Sequence, residues 1–269
     1  MSKSQIIKAA ELSKLAYESL DEVRTALPLA DKVQLVSATG KVKVPIEAFK
    51  KKRLKRRKAD TEPEVEYIPF DTQVYLIYEG EVLYVAFRGT QVTEALSYKD
   101  IVSNILLGSV YHPKTKGYVH KGYWYAFKAV EKTLRAEIQD ALVENKRIVC
   151  VGHSLGGCLA SIAAVELRPH ETITFGQPAV GNRKWAKLVD TLPLQRYVLK
   201  GDIAPCYPFD FLGYRQGGTS FTITHEGEVR PSTWQDKLKE RVPPLTPKAI
   251  KKGTRNHWIE KYIKALKKS

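Results

Sequence analysis

At 269 residues with 43% hydrophobic content, the chain can bury one sizeable core, and a length of this order reads better as one large α/β domain than as two small ones. No stretch of about 18 apolar residues occurs, which excludes an ordinary membrane-spanning helix, and Lys3, Lys8, Glu11, Lys14 and Glu18 interrupt the opening twenty residues, unlike the apolar centre of an export signal. The formal charge of +15 is concentrated in residues 41–58 (+9) and 236–269 (+8), leaving a body that sums to −2; two basic ends on a neutral body suit an anionic surface.

In chain order, Ile6, Ile7, Ala10, Leu12, Leu15, Ala16 and Leu20 recur at spacings of three and four, which predicts an amphipathic helix laid on a core. From Lys41 to Thr61 the pattern gives way to charge, nearly unbroken from Lys50 to Lys58, and predicts a solvated loop or arm. Gln73–Tyr78 and Glu81–Phe87 are rich in β-branched and aromatic residues around Glu79-Gly80 and predict a hairpin. Arg147–Val151, Thr172–Phe175 and Gln195–Leu199 predict strands, and 123–144, 157–167 and 182–191 predict helices between and around them. Such alternation implies a mainly parallel sheet covered by helices on both faces. Tyr214–Thr224 reads as a hairpin through Gly217-Gly218, and Trp258–Leu266 as a terminal helix.

Cys150, Cys158 and Cys206 are too few to pair completely and have no metal-ligand spacing, so they read as free core thiols. A reducing, cytoplasmic compartment is the corresponding expectation.

The sharpest local signal is Ile148-Val149-Cys150-Val151 running into Gly152-His153-Ser154-Leu155-Gly156-Gly157 and then into the small-residue sequence Cys158–Ala164. A strand, a tight turn and a helix in this order present a serine hydroxyl on a strained backbone, with glycines two before and two after because a Cβ there would strike neighbouring backbone. The helix N-terminus beneath aims N–H groups at an oxyanion. His153 fills a variable position of the pattern and receives no catalytic role.

A nucleophilic serine needs a base, and the base an acid that fixes its tautomer. With the order serine, acid, histidine, the candidates for base are His170, His225 and His257. Asp202 follows a predicted strand by three residues and sits at the same sheet edge as Ser154; Asp190 falls in a predicted helix and Asp210 in a proline-bounded loop. Position alone leaves His225 and His257 both open.

Five ordered blocks resemble the class 3, fungal-type triacylglycerol lipases of the α/β-hydrolase fold: Val85–Thr90, Val119–Tyr123, Val151–Gly157, Thr174–Asn182 and the settings of Asp202 and His257. The likeness runs from about Gln73 to the C-terminus. It implies Ser154 as nucleophile, Asp202 as acid and His257 as base, the last followed by a short helix containing an aromatic such as Tyr262. It also implies an oxyanion hole from Thr90 and the Leu155 N–H, and a lid over Asp100–Leu107, where Ile101 stands in place of the family's frequent tryptophan.

The organisation expected is an N-terminal helix and basic arm over 1–70 and a hydrolase domain over 71–269. The activity expected is cleavage of glycerolipid acyl esters, with no cofactor or metal; a phospholipase A1, a soluble carboxylesterase and a non-catalytic lipid-binding module are the alternatives. Residues 50–58 would serve peripheral attachment to an anionic membrane. Nucleic acid is not expected, since no aromatic residue interleaves that basic run.

Overall fold

A computed structural model describes residues 1–45, 65–89, 108–242 and 246–268. An eight-stranded sheet runs through the molecule in the order β1 (Lys32–Pro45), β2 (Val65–Glu79), β3 (Val82–Phe87), β6 (Arg147–His153), β7 (Glu171–Phe175), β9 (Leu194–Leu199), β11 (Thr219–Ile223) and β12 (Val229–Pro231). The centre, from β3 to β11, is parallel, while β1, β2 and β12 join antiparallel at the margins. A second, four-stranded sheet orders β10 (Tyr214–Arg215), β8 (Gly181–Asn182), β5 (Gly117–His120) and β4 (Ser109–His112).

Because side chains alternate across a strand, each central strand feeds two cores. On β6, Ile148 and Cys150 join the side closed by the helices Lys121–Val143 and Leu155–Glu166. Val149 and Val151 join the side closed by the N-terminal helix Lys3–Leu15 and the terminal helix Ile259–Leu266. On β2, Val74 and Leu76 face the first core, and Tyr75 and Ile77 the second. The N-terminal helix begins with a capping box on Ser2, and Ala9, Ala10 and Leu12 bury its inner stripe. Among the described residues no helix is long and apolar enough to cross a membrane.

Three expectations need correction. The charged segment from Lys41 does not begin as a loop: residues 41–45 complete β1 and pair with 65–69 of β2. Lys41, Val42 and Lys43 alternate charge and apolar side chain, which suits an edge strand, and the ladder reaches over the charge count. β2 also runs unbroken across the boundary expected at residue 70, so the N-terminal part shares the main sheet. Tyr214–Thr224 is not a hairpin: β10 pairs with β8 in the small sheet, and β11 lies parallel to β9. Gly217 and Gly218 carry the chain between sheets, Gly218 with φ of 93°. The helices Trp234–Lys239 and Pro247–Asn256 were not anticipated; both are short and highly charged, with little apolar periodicity to reveal them. The bulk of the basic run, including 50–58, and the lid segment Asp100–Leu107 lie outside the described residues.

The three cysteines are free and buried. Burial pushes the Cys206 thiol up to about 12, aided by Asp202 and Glu240, and raises Cys150 and Cys158 as well, leaving all three as inert packing groups.

Candidate active site

β6 ends at His153 and the helix Leu155–Glu166 begins two residues later, with Ser154 between them at φ 57° and ψ −125°. That left-handed backbone is costly for a residue with a Cβ and persists because the surroundings fix it. The Ser154 N–H donates to the Phe175 carbonyl at 3.0 Å, and its own carbonyl accepts from Cys158 at 3.2 Å. The glycines answer to contact: a Cβ on Gly152 would run into the Gly156 backbone, and one on Gly156 into the Phe87 carbonyl.

Asp202 lies on the turn after β9. Its N–H donates to Leu199 O at 2.9 Å, and its Oδ1 accepts the Ala204 N–H at 2.8 Å. His257 caps the C-terminus of the helix Pro247–Asn256. The three side chains meet in a buried chain: Ser154 Oγ is 2.8 Å from His257 Nε2, and His257 Nδ1 is 2.9 Å from Asp202 Oδ2. All three residues are less than 8% exposed. The Tyr262 hydroxyl donates to the same Oδ2 at 2.5 Å. Burial, then the Asp202 charge, holds that phenol well above its ordinary value, so it remains a donor. Gly176, at φ 54°, passes so close that a Cβ would stand 2.6 Å from Asp202 Oδ2 and 2.9 Å from His257 Nδ1.

The competing residues lie elsewhere. His225 is exposed between β11 and β12. His170 is exposed too, its Nδ1 accepting the Ile148 N–H at 3.0 Å. Asp190 accepts from Gly218, and Asp210 is clamped by Arg215 and Arg241. Leu155 is the first residue of its helix, so its N–H lacks an intrahelical acceptor and faces the end where the helix dipole is positive. Thr90 lies outside the described residues; its neighbour Gly89 packs on the elbow, where a Cβ would come 2.7 Å from the His153 carbonyl oxygen.

His153 is the residue that sequence reasoning missed. Its Nε2 is 2.6 Å from the His257 carbonyl oxygen and its Nδ1 is 2.9 Å from the Tyr17 hydroxyl. Its ring lies 4.6 Å from that of His257, inclined by 31°. Burial, reinforced by His257, holds its pKa well below the ordinary value. The alternation that puts Val149 and Val151 on the N-terminal helix's side of β6 also assigns His153 to that side, a signal the bare serine motif does not carry.

Residues 84–212, which hold Ser154 and Asp202, match the family described as Lipase (class 3). Over that segment, a little under half of its length, the chain is similar to the class 3 lipases. A lipase of Rhizopus niveus is 29% identical over 169 residues, 57% of this chain and 42% of that protein. A secreted mono- and diacylglycerol lipase of Fusarium solani is 36% identical over 113 residues, 39% of this chain and 34% of that one. The match thus spans less than half the length of either relative. Among solved structures, a Rhizomucor miehei lipase propeptide complex superposes with a TM-score of 0.65 at 19% identity, covering 90% of this chain and 74% of that one. A lipase from Rhizopus microsporus var. chinensis gives 0.60 at 22%, covering 83% and 76%. These structural likenesses establish an α/β-hydrolase fold; Tyr17 and His257 both fall outside the segment that the family matches.

Proposed function

We propose that the chain is a lipase-type serine ester hydrolase acting on acyl esters of glycerolipids, with Ser154 as nucleophile, His257 as base and Asp202 as orienting acid. The observation that carries the reading is the buried Ser154–His257–Asp202 hydrogen-bond chain at 2.8 and 2.9 Å. The Asp202 carboxylate can only accept, so the His257 proton belongs on Nδ1 and the Nε2 lone pair faces the serine hydroxyl. As Ser154 Oγ attacks the ester carbonyl, His257 Nε2 takes its proton. Collapse of the tetrahedral species expels the alcohol, which leaves with that proton, and an acyl-enzyme remains. Water then attacks the acyl carbon, giving its proton to His257; collapse returns it to Ser154 Oγ and releases the carboxylic acid. The Leu155 N–H and Thr90 are the donors for the oxyanion in this reading. Acylglycerols are the favoured esters because the named activities of the relatives are those of lipases and of mono- and diacylglycerol lipases.

The test is covalent labelling with a fluorophosphonate, paired with hydrolysis of esters varied in headgroup and chain length. Wild type should label and Ser154→Ala should not, with kcat falling about 10⁶-fold. A folded wild type that neither labels nor hydrolyses any ester sinks the reading, and a preference for phospholipid over acylglycerol moves the substrate to the phospholipase A1 alternative.

A further inference from the structure

His257 is held at more than its two ring nitrogens. Its carbonyl oxygen accepts a 2.6 Å hydrogen bond from the ring of His153, the residue immediately before the serine. A carbonyl has no proton to give, so His153 Nε2 must carry the hydrogen. In a neutral ring that leaves Nδ1 as an acceptor, and the group facing it at 2.9 Å is the Tyr17 hydroxyl, which then donates. The His257 carbonyl thereby selects the tautomer, and the Tyr17 hydroxyl, able to donate or accept, completes it at the other nitrogen. The chemistry needs this neutrality. His257 becomes positively charged during turnover, and a second imidazolium 4.6 Å away, sealed from water, would oppose it.

The surroundings are shaped to keep the arrangement. Tyr17 follows the N-terminal helix, and its hydroxyl occupies the space a Cβ on Gly89 would need, so that glycine lets the phenol reach His153. On the other side, Asp202 Oδ2 binds both His257 Nδ1 and Tyr262. Against that fixed point the imidazole could still tilt about its backbone, and the bond to the His257 carbonyl restrains the backbone at that pivot.

We propose that Tyr17 and His153 are positioning residues for the base: they form a neutral hydrogen-bonded strut from the N-terminal segment to the His257 backbone, fixing the imidazole for proton transfer. The inference rests on the hydrolase reading above and assigns a role in it to a residue outside the matched segment. It does not require either side chain to touch the substrate.

The experiment uses the full chain, a short-chain soluble ester and the variants Tyr17→Phe, His153→Leu and His153→Gln, with thermal melts of each. His153→Leu is expected to lower kcat about 100-fold with KM within about twofold of wild type, the scale of a small misplacement of a reacting group. His153→Gln can still donate to the carbonyl and accept from Tyr17, and should recover most of that loss. Tyr17→Phe removes one oxygen and should lower kcat about tenfold while leaving the melting temperature within a few degrees of wild type. Unchanged kcat in Tyr17→Phe and His153→Leu overturns the proposal, as does His153→Gln being as slow as His153→Leu. Should His153→Leu fail to fold, the isosteric Tyr17→Phe decides alone. An inactive, unlabelled wild type counts against the hydrolase reading instead, so the two failures are distinguishable.

Discussion

The elbow and the C-terminal stretch that delivers His257 meet at one site but are held by different means. Around Ser154 the constraint is backbone against backbone: Gly152 against Gly156, Gly156 against Phe87, Ser154 N–H on Phe175 O. From Tyr214 to Asn256 much of the holding is done by side chains. Arg196 meets Glu240 at 3.1 Å, both nearly sealed from solvent, Arg230 pairs with Asp236 at 2.7 Å, and Arg241 grips Asp210. Gly253 is the exception, pressed so closely onto Ile203 that it admits no Cβ, which seats the helix ending at His257 on the loop that carries Asp202. Backbone-held geometry tolerates no change of residue size, whereas side-chain-held geometry tolerates change only in matched pairs.

The sharpest break of that contrast is at the buried ion pair. Glu240→Met strands the Arg196 guanidinium in the interior and is expected to cost about 3–5 kcal/mol in chemical denaturation; the Arg196→Met/Glu240→Met double variant should recover most of it. If the double variant is as unstable as the single, the segment is not held by the pair. Next comes Gly156→Ala: the new methyl meets the Phe87 carbonyl and should cost about 1–3 kcal/mol with a loss of fluorophosphonate labelling, and no second substitution of a side chain nearby should restore it. Rescue by a partner mutation would erase the distinction.

The smallest effect lies at the far end of the elbow's own helix, where Glu166 accepts from His112 at 2.9 Å and Lys114 at 2.7 Å. Burial alone would raise this carboxyl, but those two donors outweigh it and hold it down at about 2 from an ordinary 4.5. A depressed carboxylate stabilises the fold above its unfolded pKa and loses that contribution as pH falls through the folded one. Stability should therefore decline between about pH 4.5 and 2. Glu166→Gln should flatten the slope by about 1 kcal/mol, since half-exposed Lys114 is screened by water. A slope unchanged in the variant would place the titration elsewhere.

The same contrast explains what could be read from sequence. Backbone-held features leave glycines and apolar runs at fixed spacings, and the elbow, the central parallel strands, the Asp202 turn and the covering helices were legible for that reason. β1 was only partly legible because its last residues carry alternating lysines whose pairing with 65–69 is a long-range fact. The helices 234–239 and 247–256 escaped because charge, not periodicity, dominates them. Position could not separate His225 from His257, which differ by whether the chain returns to the sheet centre or stays at its margin. His153 was passed over because its partners, Tyr17 and a main-chain oxygen 104 residues away, belong to no local pattern.

The long strand β1 has a consequence for the protein in company with itself. Among the described strands it is one free margin of the main sheet, and β12 is the other. An open strand margin is a template on which an identical chain can stack. β1 carries Lys32, Lys41 and Lys43, which set like charges against an incoming copy, and β12 is three residues long and ends in Pro231. Lys41 and Lys43, which in the sequence read as the start of a charged arm, lie instead on an open strand margin, where like charge disfavours fibrous self-association.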